Sequence, residues 1–436
     1  MWAWVWVCGC YHPSPATGSP CGAGDVCPDH QVCDTSQAPP LCVTALAGGP
    51  DAATSSDGPI TDPDATSAID AAPLACGGGC PASLPVCDSG TNDCRGCVQD
   101  SECASDVCNE LQGTCVAEAN ALYVAAGAGP TACTRAAPCG TVSHAVTFLS
   151  ATLNTIKVGA GTYSDSWVMP AVTTPFLISG PSNVATDVTI NFSMAGGNDH
   201  VVELHASSVL VLEGMTVQGS TSECVRAQNG TLTLRHVLAQ SCAGGLDLAT
   251  STSKVFESQI VGTTGFGIAQ AGGTLLVERT LVAGNGDDGL HVSGGKFTIA
   301  NSMIVANPGG DGVHIVTTDA ASSLDFVTIA SNGGTAGVHN TSGTAVSVRD
   351  SIIANNAAQL SGAVTAAYCL TSDNVVAGTG NIAGAAAFVN PGVDFHIQAS
   401  SPARSAADPA STVNIDFDGD HRPAGAGRDI GADEIP

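Results

Sequence analysis

Three histidines recur at matched places in this chain, in Leu290-His291-Val292, Val313-His314-Ile315 and Val338-His339-Asn340. Asp288 and Asp311 stand three residues before the first two, and Asp247 occupies the histidine place two periods earlier. A carboxylate beside an imidazole favours the charged ring, and such a pair can work as acid and base or bind a divalent metal. The candidate catalytic set is therefore His291, His314, Asp288 and Asp311, with His339, Asp247 and Asp287 as candidate ligand-binding neighbours. The competing reading is that these polar side chains only solvate an exposed strand.

Other acids suggest a harder cation. Asp287 and Asp288 in Gly-Asp-Asp-Gly offer carboxylate oxygens suited to Ca²⁺, although acids flanked by glycine are also ordinary turn residues. Asp416, Asp418 and Asp420 alternate like the start of a calcium loop, but Gly419 is misplaced and Gly427 stands where an EF-hand needs Glu. The EF-hand is rejected, and these three stay as metal candidates with Ca²⁺ as the cofactor considered. Rigid aromatic faces for sugar are scarce: after the leader a single Trp, Trp167, remains, with Tyr123, Tyr163 and Tyr368 as other options.

The histidines inherit their spacing from a repeat. Leu212, Leu234, Phe256, Val277 and Ile299 form one apolar column, and Val225, Leu246, Ile268, Leu290, Val313 and Val338 form a second. Asn285, Asn307, Asn332 and Asn356 form a third, read as a structural ladder at bends where Asn tolerates left-handed backbone. Steps of about 22–25 residues, each holding short alternating runs, predict strands stacked coil upon coil at about 4.8 Å. His291, His314 and His339 should then stack outward on successive coils. A leucine-rich repeat fits less well, since each period has two alternating runs and no helical segment.

Composition agrees with an all-β chain. Glycine is abundant with 52 residues, and Lys plus Arg number 12, so a helical bundle would lack its usual residues. A formal net charge of −27 repels phosphate backbones and anionic lipid, which excludes nucleic acid as a partner. The 19 cysteines point to an oxidising, extracytoplasmic compartment.

The chain divides into a leader over 1–10, a four-cysteine disulfide module over 11–45, a linker rich in Asp, Ala, Pro and Ser over 46–75, and an eight-cysteine module over 76–118. A β-helix with an N-terminal cap over 119–400 and a closing segment over 401–436 complete it. Disulfide candidates are Cys21, Cys27, Cys33 and Cys42 in the first module, and Cys76, Cys80, Cys87, Cys94, Cys97, Cys103, Cys108 and Cys115 in the second. Their connectivity is left open by the sequence. Cys94-Arg95-Gly96-Cys97 has the spacing of a zinc or redox pair, but the disulfide reading is favoured in this setting. Cys133 and Cys139 staple the loop beside the cap. Cys224 and Cys242 lie on neighbouring coils at columns about three residues apart, so a bridge there would need a displaced turn, and Cys369 has no evident partner.

Several segments resemble known families. Val7-Cys8-Gly9-Cys10 resembles a bacterial lipobox, which implies lipidation at Cys10, the alternative being an ordinary disulfide cysteine. Cys-Val-Gln-Asp-Ser-Glu-Cys (97 to 103) resembles the cysteine-rich modules that precede repeat domains in bacterial surface proteins. The period, together with Ala-Leu-Tyr-Val (121 to 124) and Thr141-Val142-Ser143-His144-Ala145-Val146, resembles the right-handed parallel β-helix superfamily that includes pectate lyases. The closing stretches from Ser401 and from Asp416, and Asp429-Ile430-Gly431-Ala432-Asp433-Glu434, are similar to the segment called choice-of-anchor Q.

The lyase resemblance implies acids that hold Ca²⁺ and an Arg or Lys that abstracts a proton, but Arg226, Arg235, Lys254, Arg279, Lys296 and Arg349 fit no lyase motif. The expectation is a right-handed parallel β-helix (solenoid) behind small disulfide-rich modules, secreted or tethered to the outer membrane or cell surface. It is expected to be monomeric, to touch a membrane only through lipid at Cys10, and to meet a polysaccharide or cell-envelope component as a non-catalytic scaffold. The alternatives are a polysaccharide lyase or hydrolase using the His/Asp face, and an adhesin.

Overall fold

The computed structural model describes residues 76, 79–192, 200–319 and 321–435, together with the backbone of two short strands, Gln31–Asp34 and Leu41–Thr44. Those two strands pair antiparallel with Cys33 opposite Cys42. The side chains of Cys33 and Cys42, and all of Cys10, Cys21 and Cys27, lie outside the described residues. Contacts divide the chain into two units, one ending at Cys97 with a return at Glu110–Thr114, the other comprising Val98–Asn109 and Cys115–Pro436.

In the first unit the Val86–Cys87 and Cys94–Arg95 strands pair antiparallel, and disulfides join Cys76 to Cys87 and Cys80 to Cys94. Cys94 is thus committed to Cys80, and Cys97 is also disulfide-bonded, so the CxxC pair is no metal site. Cys103–Cys115 and Cys133–Cys139 are bonded in the second unit, where Cys108 is a disulfide cysteine too.

The second unit is a right-handed parallel β-helix of about 10 turns. Each turn contributes to three parallel sheets, because the chain alternates apolar and polar residues in short runs and bends between them. The first sheet aligns Leu212, Leu234, Val255, Val277, Ile299, Leu324 and Val348. The second aligns Val217, Ala239, Ile260, Val282, Ile304, Ile329 and Ile353. The third aligns Val225, Leu246, Ile268, Leu290, Val313 and Val338. All are buried, and together they fill the coil. One expected member is corrected: Phe256 pairs with Arg235 and Glu278 on the outward face, and Val255 holds the interior place. The coil carrying it is one residue shorter than assumed, so every side chain in that strand moves to the opposite face.

Two ladders satisfy the bends. Asn285 Nδ2 donates to Asn307 Oδ1 at 3.0 Å, Asn307 to Asn332 at 2.8 Å and Asn332 to Asn356 at 3.1 Å. Each Nδ2 also donates to a backbone carbonyl one coil back, such as Asn285 to Ile260. The left-handed residues are the ones just before, Gly284, Ala306, Ser331 and Asn355, so the Asn side chains serve as hydrogen-bonding spacers rather than as the bend itself. A second ladder of Ser258, Thr280, Ser302 and Ser351 accepts backbone N–H groups from the preceding coil at the bend between the first and second sheets.

The N-terminal coil is covered by the helix Val142–Val146, whose Thr141 cap accepts the His144 N–H and whose Val142, Ala145 and Val146 are buried. This protects strand edges that would otherwise pair with another chain. At the second sheet the outward face is apolar as well: Met303, Val305, Ile352 and Leu370, with Phe326 at the corner before it, are covered by residues 386–432, which pack Phe388, Phe395, Ala403 and Ile430 against them. Cys224 and Cys242 bond with a Cα separation of 5.5 Å, yet the flanking register of Glu223 with Gly244 and Val225 with Leu246 is undisturbed. The expected displaced turn is therefore absent; the corner just before Cys242 holds left-handed Ser241.

Candidate functional site

The third sheet turns its odd places inward and its even places outward, so the outward line runs Arg226, Asp247, Ala269, His291, His314, His339 in strict register. The three histidines thus stack on successive coils. His314 and His339 lie face to face with ring centres 4.9 Å apart, and His291 meets His314 edge-on at 5.1 Å.

The acids come from the bend that precedes the strand. Gly289 makes that bend tight: a Cβ there would stand 2.4 Å from Ile304 and 2.8 Å from Asn307 Nδ2. Asp288 is held by it beside its own histidine. Its Oδ2 is 2.9 Å from His291 Nδ1 and 3.2 Å from His314 Nδ1, and its Oδ1 accepts the Asp311 N–H at 2.7 Å. Asp311 repeats the pattern one coil on, with Oδ2 2.8 Å from His339 Nδ1 and Oδ1 accepting the Ala336 N–H. His314 therefore leans back to Asp288 rather than to the acid of its own coil.

Both aspartates are buried, while the imidazoles are about a quarter exposed. Burial alone would raise the Asp288 carboxyl, but the His291 hydrogen bond, the Asp311 N–H and the two imidazoles outweigh it and hold it below the usual range. Where Nδ1 donates its proton to an aspartate, Nε2 is left as the acceptor. The groove over these residues is shallow and open, about 370 Å³, and is lined also by Asp287, Gly309, Gly310, Gly334, Thr335 and Phe266. Asp287 lines the groove and accepts the Asp288 N–H through Oδ1.

Phe266 was not singled out by the sequence. It stands in register with Asp288, where the histidine-bearing coils begin, and stacks on His291 with ring centres 4.6 Å apart. The signal was its place in the column of bends, visible only once the coils are aligned.

The other candidates fall elsewhere. Asp247 shares the histidine line but pairs with Arg226 at 3.2 Å, two coils from His291, and burial raises its carboxyl. Asp416 is fully buried, and its oxygens accept the N–H groups of Asp418, Asp420 and Glu434, so it organises the closing segment from within. Asp418 bonds His396 Nε2 at 3.0 Å. Asp420 has its N–H on Asp416, and burial raises its own carboxyl. Arg235 and Arg279 both pair with Glu257, Arg349 pairs with Asp408, and Lys254 and Lys296 point to solvent; none lines the groove. Of the aromatic candidates, Trp167, Tyr123 and Tyr163 are buried and Tyr368 is half-buried.

No family model matches this chain, and no curated protein matches it. Among solved structures, a pectate lyase matches with a TM-score of 0.51 at 14% identity, over 74% of this chain and 98% of that one. The likeness is one of fold. A pectin methylesterase from Aspergillus niger aligns at TM-score 0.37 and 14% identity, over 67% of this chain and 92% of its own. The A-module of a mannuronan C-5 epimerase from Azotobacter vinelandii aligns at 0.30 and 12%, over 57% and 89%.

The disulfides agree with an extracellular setting, since they form and persist where thiols are not kept reduced. No helix among the described residues is long and apolar enough to cross a membrane.

Proposed function

We propose that this protein is a secreted or surface-tethered β-helix scaffold that binds a polysaccharide along the histidine groove without turning it over. The observation that carries the reading is the saturation of Asp288: both oxygens are already engaged, by His291, His314 and the Asp311 backbone. An acid so engaged positions neighbours and is a poor proton carrier, while the stacked rings and Phe266 offer an open, rigid strip suited to the apolar faces and hydroxyls of sugar rings. The lining holds no Lys or Arg to abstract a proton beside a uronate. We also propose that Cys10 carries lipid and that the closing segment is of the choice-of-anchor Q type.

Co-sedimentation with insoluble neutral and uronate polysaccharides tests the binding. Native protein should pellet with at least one of them, Phe266→Ala should bind several-fold less, and no unsaturated ends or new reducing ends should accumulate. Equal binding by Phe266→Ala, or absence of binding to every polymer, would remove the reading. Retention of the full chain with cells, lost in Cys10→Ser, tests the tether.

A second reading, a lyase or hydrolase, is favoured by the Nδ1–aspartate contacts of the three imidazoles, since an imidazole whose Nδ1 is fixed by an aspartate is arranged as a general base. It requires turnover that falls at least 100-fold in the His291→Ala, His314→Ala double variant, on the order of what general-base catalysis contributes.

A further inference from the structure

The convergence of two imidazoles on one carboxylate oxygen has a chemical use beyond polymer contact. Asp288 Oδ2 lies 2.9 and 3.2 Å from the Nδ1 atoms of His291 and His314, and the three ligand atoms fall within 4.8 Å of one another. A tetrahedral ion with bonds of about 2.0–2.2 Å holds its ligand atoms about 3.4 Å apart. The two acid–imidazole separations are each within about half an ångström of that value. We propose that Asp288, His291 and His314 form a site for one borderline transition-metal ion of the Zn²⁺ class, bound through Oδ2 and the two Nδ1 atoms, with each ring's proton moved to its Nε2 and a fourth position open to the groove.

Three features of the fold support the site. The ligands sit on paired strands and a tight glycine bend, so little ordering is left to be done on binding. The second oxygen of Asp288 is fixed by the Asp311 N–H, the kind of outer hydrogen bond that orients a metal-binding carboxylate. The ligand set has two nitrogens and one oxygen, which suits Zn²⁺, Ni²⁺ or Cu²⁺ and disfavours Ca²⁺, whose sites are built from six to eight oxygens.

A second triplet, Asp311, His314 and His339, shares His314. Since the His314 Nδ1 faces Asp288 and not Asp311, that triplet has only one imidazole contact to its acid. One equivalent of metal is therefore expected, at the Asp288 triplet.

The site lies in the groove assigned to polysaccharide, but it does not require that assignment, and its test uses the metal alone. The full chain, stripped with chelator, is titrated with Zn²⁺ by calorimetry with no polymer present, in parallel with co-sedimentation in chelator that reads polymer binding separately. Expected are one equivalent bound and no competition from equimolar Ca²⁺. His291→Ala and His314→Ala should each weaken binding on the order of 100-fold, His339→Ala should change it less than about threefold, and His205→Ala, an exposed control, should not change it. Unfolding curves in chelator confirm that each variant folds, and His314→Gln replaces His314→Ala if the latter does not. No Zn²⁺ binding by native protein, native-like binding by the His291 and His314 variants, or displacement by equimolar Ca²⁺ would overturn the proposal.

Discussion

The guanidinium of Arg422 lies 4.6 Å above the centre of the Phe326 ring, joining the closing segment to a left-handed corner of the coil. Arg422 is fully buried; it bonds Glu434 at 3.1 Å and donates to the backbone carbonyls of Asp429 and Gly431. Ala432 N–H in turn reaches Thr328 Oγ1 at 3.0 Å, on the second sheet. A cation placed this deep is held by the carboxylate, the two carbonyls and the ring together.

Arg422→Ala should therefore destabilise the protein by about 3–5 kcal/mol, since it leaves Glu434 buried without its partner. Urea unfolding followed by fluorescence measures the loss. Binding of an apolar dye should rise alongside it, as Met303, Val305 and Ile352 become uncovered. An unchanged midpoint would show that the segment is held by its apolar contacts alone.

Asn307 is the central rung of its ladder, accepting from Asn285 and donating to Asn332. Asn307→Ala strands buried polar groups on both neighbouring coils, and each such group costs about 1–3 kcal/mol. Chemical denaturation should show a loss of that order, with Asn390→Ala, on an exposed hairpin, close to native. Equal midpoints for the two variants would mean that the ladder is decorative.

His396 is clamped by carboxylates on both sides, Asp418 at 3.0 Å from Nε2 and Asp394 at 2.5 Å from Nδ1. The Asp418 hydrogen bond, opposed by burial and aided by Asp394, pushes its pKa up to about 10 from an ordinary 6.5. A pKa raised in the folded state means stability fully present below 6.5 and lost as pH rises through 10. Burial pushes Asp416 up to about 7 and Asp350 to about 6, and these have the same sign: their contribution is present below 3.8 and fades upward through those values. Thermal unfolding should thus show a falling alkaline arm, and His396→Gln should flatten it between pH 6.5 and 10. An arm of unchanged slope in that variant would refute the assignment.

Cys369 is a free, buried thiol whose pKa burial pushes up to about 12. It should ignore thiol reagents at pH 8 in the native protein and react once the chain is unfolded, since the thiolate is the reactive form. Labelling counted by mass before and after denaturant decides this. Prompt labelling of the native protein would show that the last coils open readily.

The histidine line was legible because a strand's two-residue period fixes which side chains share a face, and the second apolar column needed no correction. Phe256 misled because a bulky apolar residue was taken as the interior one, and a corner shortened by one residue reverses inside and outside. The Ser/Thr ladder of Ser258, Thr280, Ser302 and Ser351 escaped notice because hydroxyl residues are common at bends and carry no apolar signal. Phe266 escaped because no other coil repeats an aromatic at that bend, so its column carried no pattern.

Residues 205 to 360 determined on their own that the chain stacks in coils of about two dozen residues, because only backbone pairing between coils satisfies so regular an alternation. They also determined that His291, His314 and His339 align. The tertiary structure alone decided that His314 turns to Asp288 and not to Asp311, that the outer apolar face of the second sheet is covered by residues 386 to 432, and that Cys224 reaches Cys242 without disturbing the register. Each of these is a choice among neighbours a few ångströms apart, set by how one coil's corner is offset from the next, and the order of residues along a single coil does not contain that offset.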